Sequence, residues 1–127
     1  MSESDLDFDI DFARIKVIDP QQNTQGKTEY KIEGYDKMGF FSNISRRYKD
    51  FFSLHDLLAE RFKGLYVPQI PPKKALGNKD DKFIEERRAL LQDFLVNIHR
   101  FQYLWQSEEF SAFIRSPTES KFSDNSE

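Results

Sequence analysis

Three groups of basic side chains in this sequence have the types and spacing to receive an anion. Arg46-Arg47-Tyr48 sets two guanidinium groups beside an aromatic ring, Lys73-Lys74 follows a run of prolines, and Arg87 interrupts an otherwise apolar helical stripe. A guanidinium presents a planar fork of donors that matches phosphate oxygens or two adjacent hydroxyls, whereas an ammonium is a compact point charge. Each group also has a plain reading. Arg46-Arg47-Tyr48 fits a solvated basic pair beside a core ring. The lysine pair fits a surface loop, or a docking peptide, because Pro68-Gln69-Ile70-Pro71-Pro72-Lys73 matches the P-x-x-P-x-basic pattern read by SH3 grooves.

Arg87 is the sharpest anomaly. At about 100° per residue from Phe83, Leu90 falls at about 340°, Phe94 at 20°, Ile98 at 60°, Leu91 at 80°, Ile84 at 100° and Leu95 at 120°. Arg87 falls at about 40°, inside that stripe, while Arg88 at about 140° lies on its edge, a place where replacement should disturb little. A buried guanidinium without a partner costs several kcal/mol, so either an acid of the fold pairs with Arg87, or it snorkels from the helix start, or the stripe opens there onto a groove that receives an anion.

Catalytic chemistry finds no constellation to carry it. His55 and His99 are the two histidines; His55 reads as a boundary residue on a helix and His99 as a solvated one, and neither has a nucleophile, a metal-ligand spacing or a glycine-rich phosphate loop beside it. Without cysteine there is no thiol nucleophile, disulfide framework or zinc ribbon. A non-enzyme without metal or cofactor is therefore expected. Nucleic-acid binding would call for a larger basic surplus and exposed stacking aromatics, whereas most of the 13 Phe fall at core-periodic positions.

The elements that must position these groups divide into a β-rich first third and a helical remainder. Asp5 to Phe12 alternates acids with apolar residues, a strand pattern whose phase shifts to Ala13, Ile15 and Val17, requiring a bulge near residues 12–13. Turn formers from Asp19-Pro20 to Gly26 close this strand; a second spans Lys27 to Tyr35, and Asp36 to Gly39 turns into a third, Phe40 to Arg47. Arg47 and Tyr48 can meet one ligand if that strand ends between them. From Lys49 the stripe Phe51, Leu54, Leu58, Phe62 predicts an amphipathic helix ended by Gly64; an extended proline stretch, 67–74, follows. A long helix then runs to about Arg100 behind acidic residues near Asp80, and a short one opens at Ser107 carrying Phe110, Phe113 and Ile114.

With 127 residues and 38% apolar content, one self-supporting domain is expected, and no apolar run approaches the roughly 20 residues of a membrane-spanning helix. Residues 1–11 carry five acids and no base and residues 117–127 three acids and one base, so the net −3 conceals a body with four more bases than acids. We divide the chain accordingly into an acidic segment 1–11, a domain 12–116 and a polar, disordered tail 117–127. The N-terminus lacks the basic and apolar regions of a signal peptide, so a cytoplasmic location is expected.

The three clusters in this order resemble the PX (phox homology) domain of the sorting nexins. Arg46-Arg47-Tyr48-Lys49-Asp50-Phe51 is similar to the family's Arg-Arg/Lys-Tyr/Phe-x-Asp/Glu-Phe signature, Pro68 to Lys73 to its proline-rich stretch, with Gln69 in place of the second proline, and Phe83 to Leu91 to the start of the next helix. The resemblance implies an α+β fold in which a three-stranded antiparallel meander packs on a helical subdomain, with a pocket for the headgroup of phosphatidylinositol 3-phosphate. It further implies that Arg47 binds the 3-phosphate, Tyr48 packs on the inositol, Lys73 meets the 1-phosphate and Arg87 bonds the 4- and 5-hydroxyls. Lys74 and Arg46 are additional candidates, and Ala75-Leu76 a modest membrane-inserting pair contributing about 2 kcal/mol or less through Leu76. The implied setting is the cytosolic face of endosomal membranes, with protein partners in a sorting complex; a PX-type protein-interaction module acting through P-x-x-P is the alternative.

Overall fold

The computed structural model describes residues 15–35, 41–73 and 79–115. Strands β1 (Lys16–Gln22), β2 (Thr28–Tyr35) and β3 (Phe41–Arg47) form an antiparallel sheet in the order β1-β2-β3. Helices α1 (Tyr48–Arg61), α2 (Asp81–Ile98), α3 (Gln102–Trp105) and α4 (Glu108–Arg115) follow. This is the α+β meander with a helical subdomain that the pattern predicts. The acidic alternation at 5–12, the bulge expected near 12–13, the turn 36–39 and the tail lie outside the described residues.

One face of the sheet supplies the core. Val17 pairs with Ile32, and Ile32 with Ile44; Val17, Tyr30 and Ile32 are buried, as period-two alternation requires. Against them pack Phe51, Leu54 and Leu58 of α1, Leu91, Phe94, Leu95 and Ile98 of α2, and Phe110, Phe113 and Ile114 of α4. Burial contributes about 1.5–3 kcal/mol for each such side chain.

Four expectations need correction. β1 does not close at Asp19-Pro20 but runs on to Gln22 through a bulge, with Asp19 and Pro20 opposite Tyr30 alone. Asp19 takes φ 51°, a left-handed conformation that its short polar side chain tolerates, and Pro20 is admissible because β1 is an edge strand. Leu90 is 49% exposed, because the buried arc of α2 is centred near Ile98 and Leu91 and leaves the 340° direction outside. His99 is fully buried, not solvated: it follows the last turn of α2, and Phe110 of α4 meets its ring edge-on at 5.0 Å. Arg88 is likewise no idle edge residue. Its Nη1 donates to the Val17 carbonyl at 2.8 Å while Gln92 Oε1 accepts from the Val17 N–H at 3.0 Å, so α2 takes up both backbone groups of this edge-strand residue.

Candidate functional site

The site begins where strand becomes helix without a loop. Arg47 is the last residue of β3, with φ −90° and ψ 164°, and Tyr48 is the first of α1. The backbone N–H of Arg47 donates to Asp50 Oδ2 at 2.9 Å, so a buried carboxylate in the first turn fixes the start of the helix. The strand ends between Arg47 and Tyr48, which frees both side chains from strict alternation.

The proline segment turns its backbone toward this junction. Tyr48 Oη donates to the Pro71 carbonyl, and Arg87 Nη2 to the Pro72 carbonyl at 2.8 Å. Pro68 is buried. A peptide read by an SH3 groove must offer its prolines on a free face, so Pro68 is spent on the domain itself.

Helix α2 delivers Arg87 from the other side. Asp80 caps its N-terminus, accepting from the Phe83 N–H at 3.2 Å, and one turn later Arg87 reaches in with its guanidinium carbon 3.7 Å from the Tyr48 ring centroid and 4.5 Å from that of Phe83. The guanidinium thus lies against two rings. Arg87 is 7% exposed, and its partners among the described residues are a carbonyl and two ring faces, with no carboxylate among them. Its Nε is buried without a hydrogen-bond partner among the described residues. Burial holds its pKa below the usual arginine value, and burial likewise pushes the Tyr48 phenol up, against the lowering influence of Arg87. Of the alternatives open for Arg87, pairing with an internal acid is therefore not what the described residues provide.

Lys73 completes the cluster. It is exposed, and its Nζ lies 4.5 Å from the centroid of Phe52, whose ring is 5.9 Å from that of Tyr48. Tyr48, Lys73 and Arg87 are thus joined by direct or single-ring contacts, and Arg47 adjoins Tyr48 in the chain. Arg46 does not join them. It is 1% exposed, faces the core opposite Tyr30, and donates from Nε to the Phe113 carbonyl at 3.0 Å and from Nη1 to Ser45 O at 3.3 Å. The strand parity that parts Arg46 from Arg47 was readable in the sequence. Lys74, Ala75 and Leu76 lie outside the described residues. Phe52 and Phe83, which the cluster does contain, were missed as site residues: Phe83 fits the packing stripe of α2, and Phe52, off the stripe of α1, carries no charge or donor to mark it.

The arrangement can hold an anion beside polyol oxygens. Arg47 and Lys73 supply positive charge, Arg87 retains donors, and Tyr48 offers a ring for packing. Among the described residues no group of His, Asp or Glu could hold a metal ion, and no helix is long and apolar enough to cross a membrane.

Comparison with known proteins bears on the family and the fold. The family model for the PX domain matches residues 38–117. Vacuolar protein sorting-associated protein vps5 of Schizosaccharomyces pombe is 39% identical over 112 residues, covering 82% of this chain and 19% of its own length. Sorting nexin 1 of Arabidopsis thaliana is 38% identical over 78 residues, covering 60% of this chain and 19% of its own length. The X-ray structure of a designed CISK-PX domain matches with a TM-score of 0.72 at 27% identity, over 81% of this chain and 99% of that one. The chain spans about a fifth of the length of these two curated relatives.

Proposed function

The chain belongs to the PX domain family, and we propose that it binds membranes through a phosphoinositide headgroup, selecting phosphatidylinositol 3-phosphate. Arg47 takes the 3-phosphate, Tyr48 packs against the inositol ring, Lys73 meets the 1-phosphate and Arg87 bonds the free 4- and 5-hydroxyls. The observation that carries this is the state of Arg87: a buried guanidinium against the Tyr48 and Phe83 rings, with Nη2 anchored on the Pro72 carbonyl and Nε left without a partner among the described residues. A group held so rigidly and satisfied so incompletely is preorganised for an outside acceptor.

Sorting nexins among its relatives support a role as the peripheral, membrane-targeting part of a trafficking protein on the cytosolic face of endosomes, with partners in a sorting complex. This is a binding role, without catalysis. Flotation with phosphatidylcholine vesicles that differ in a single phosphoinositide tests it: selective recovery with phosphatidylinositol 3-phosphate is expected, and equal recovery with plain vesicles would overturn it.

A further inference from the structure

Resting on that headgroup reading, we propose that Phe52 is a positioning residue for Lys73, holding its ammonium at the site from beneath. Lys73 needs such a support. The prolines before it restrict the backbone as far as Pro72, but its own four side-chain torsions are free and its side chain is exposed. Among the described residues no carboxylate lies within ion-pair distance of it. What it does have is a ring: Nζ stands 4.5 Å from the Phe52 centroid, within the range where an aromatic quadrupole attracts a cation.

Phe52 is fixed in turn. It lies four residues after Tyr48 on α1, on the same helix face, and the two rings meet at 5.9 Å with 50° between their planes. Lys73, Phe52, Tyr48, Arg87 and Phe83 therefore form one unbroken series of contacts, two cations and three rings. Lys73 is tied through Phe52 to the element that carries Tyr48, and the ammonium is brought to the headgroup side of the proline segment. Phe52 need not touch the ligand to matter; it acts through Lys73.

A double-mutant cycle on vesicles of phosphatidylcholine with phosphatidylinositol 3-phosphate separates this from ordinary packing. Phe52→Leu keeps an apolar side chain but removes the ring face, and should weaken binding about two- to fivefold, the range of an exposed cation–ring contact. In a Lys73→Ala background the same change should cost nothing further, whereas with Lys73 present Phe52→Trp should keep wild-type affinity. Equal losses in both backgrounds would overturn the inference. A readout independent of lipid accompanies it: the Lys73 ε-methylene protons should show an upfield ring-current shift in the free protein that Phe52→Leu abolishes, and their resonance at an ordinary position would also overturn it. Wild-type protein that ignores the phosphoinositide while showing that shift would sink the headgroup reading and leave the Phe52 contact standing.

Discussion

Among the described residues two arginines are buried, with opposite fates. Arg46, at the seam between β3 and α4, spends its guanidinium on the carbonyls of Phe113 and Ser45 and lies 5.5 Å from the Phe113 ring centroid. Arg87, at the seam between α2 and the proline segment, has one carbonyl partner and two rings, with a buried Nε unbonded among the described residues. Burial is similar at 1% and 7%, so burial alone does not mark a binding site. The difference lies in who satisfies the donors. Where the fold does so the cation is a structural tie; where it does not, the proposed headgroup supplies the missing acceptor.

The contrast can be broken most forcefully at Arg46. Arg46→Ala leaves the Phe113 carbonyl without this donor and opens a cavity in the core, and should lower stability by about 3 kcal/mol while the folded fraction still binds vesicles. An unchanged unfolding midpoint would show that Arg46 is not the tie described here. Arg47→Ala tests the ligand side: loss of a charge-assisted contact to phosphate should weaken vesicle binding by about 1.5–3 kcal/mol, with the thermal midpoint little moved.

Arg87→Leu sharpens the comparison, because stability and binding should part. Lipid binding should collapse, while loss of the Pro72 bond and the ring contacts is offset by apolar contact, so the fold should change by about 1 kcal/mol or less. A destabilisation of 3–5 kcal/mol, the cost of stranding a buried charge partner, would place Arg87 with Arg46 instead. Smaller again, Lys73→Ala should weaken binding more than Lys74→Ala, with both losses shrinking in high salt as screening tightens; the reverse order in a side-by-side titration would shift the proline stretch by one residue.

The smallest effect belongs to Arg88, a third arginine serving neither core nor ligand. Its hydrogen bond holds the Glu85 carboxyl below the usual carboxylate range. Because the folded value is depressed, the pair's contribution is present above the ordinary glutamate pKa and is lost as pH falls through the lowered one. Glu85→Gln should flatten the acid limb of the melting profile slightly, and an identical profile would show that the pair is thermodynamically silent. Arg88→Leu should cost about 1 kcal/mol through the Val17 carbonyl and spare lipid binding.

Most of the architecture was legible in the chain because periodicity reports burial directly. The alternation at Tyr30 and Ile32 and the stripe Phe51, Leu54, Leu58 mark faces that water would otherwise touch, and each is buried. Arg87 could be singled out on the same basis, as a charge on an apolar arc. α3 escaped notice because four residues carry no period, and His99 was misjudged because a separate helix, α4, folds back to cover it. What sequence alone could not decide was the assignment of partners. Whether a buried arginine meets a carbonyl, a carboxylate or nothing depends on which backbone the prolines and α4 bring within about 3 Å, and no local pattern encodes that approach. The sequence by itself determined most of the apolar faces that leave water; tertiary structure decided that Arg46 would be satisfied by Phe113 and that Arg87 Nε would stay unbonded among the described residues, because hydrogen bonding between separate elements is settled when they pack.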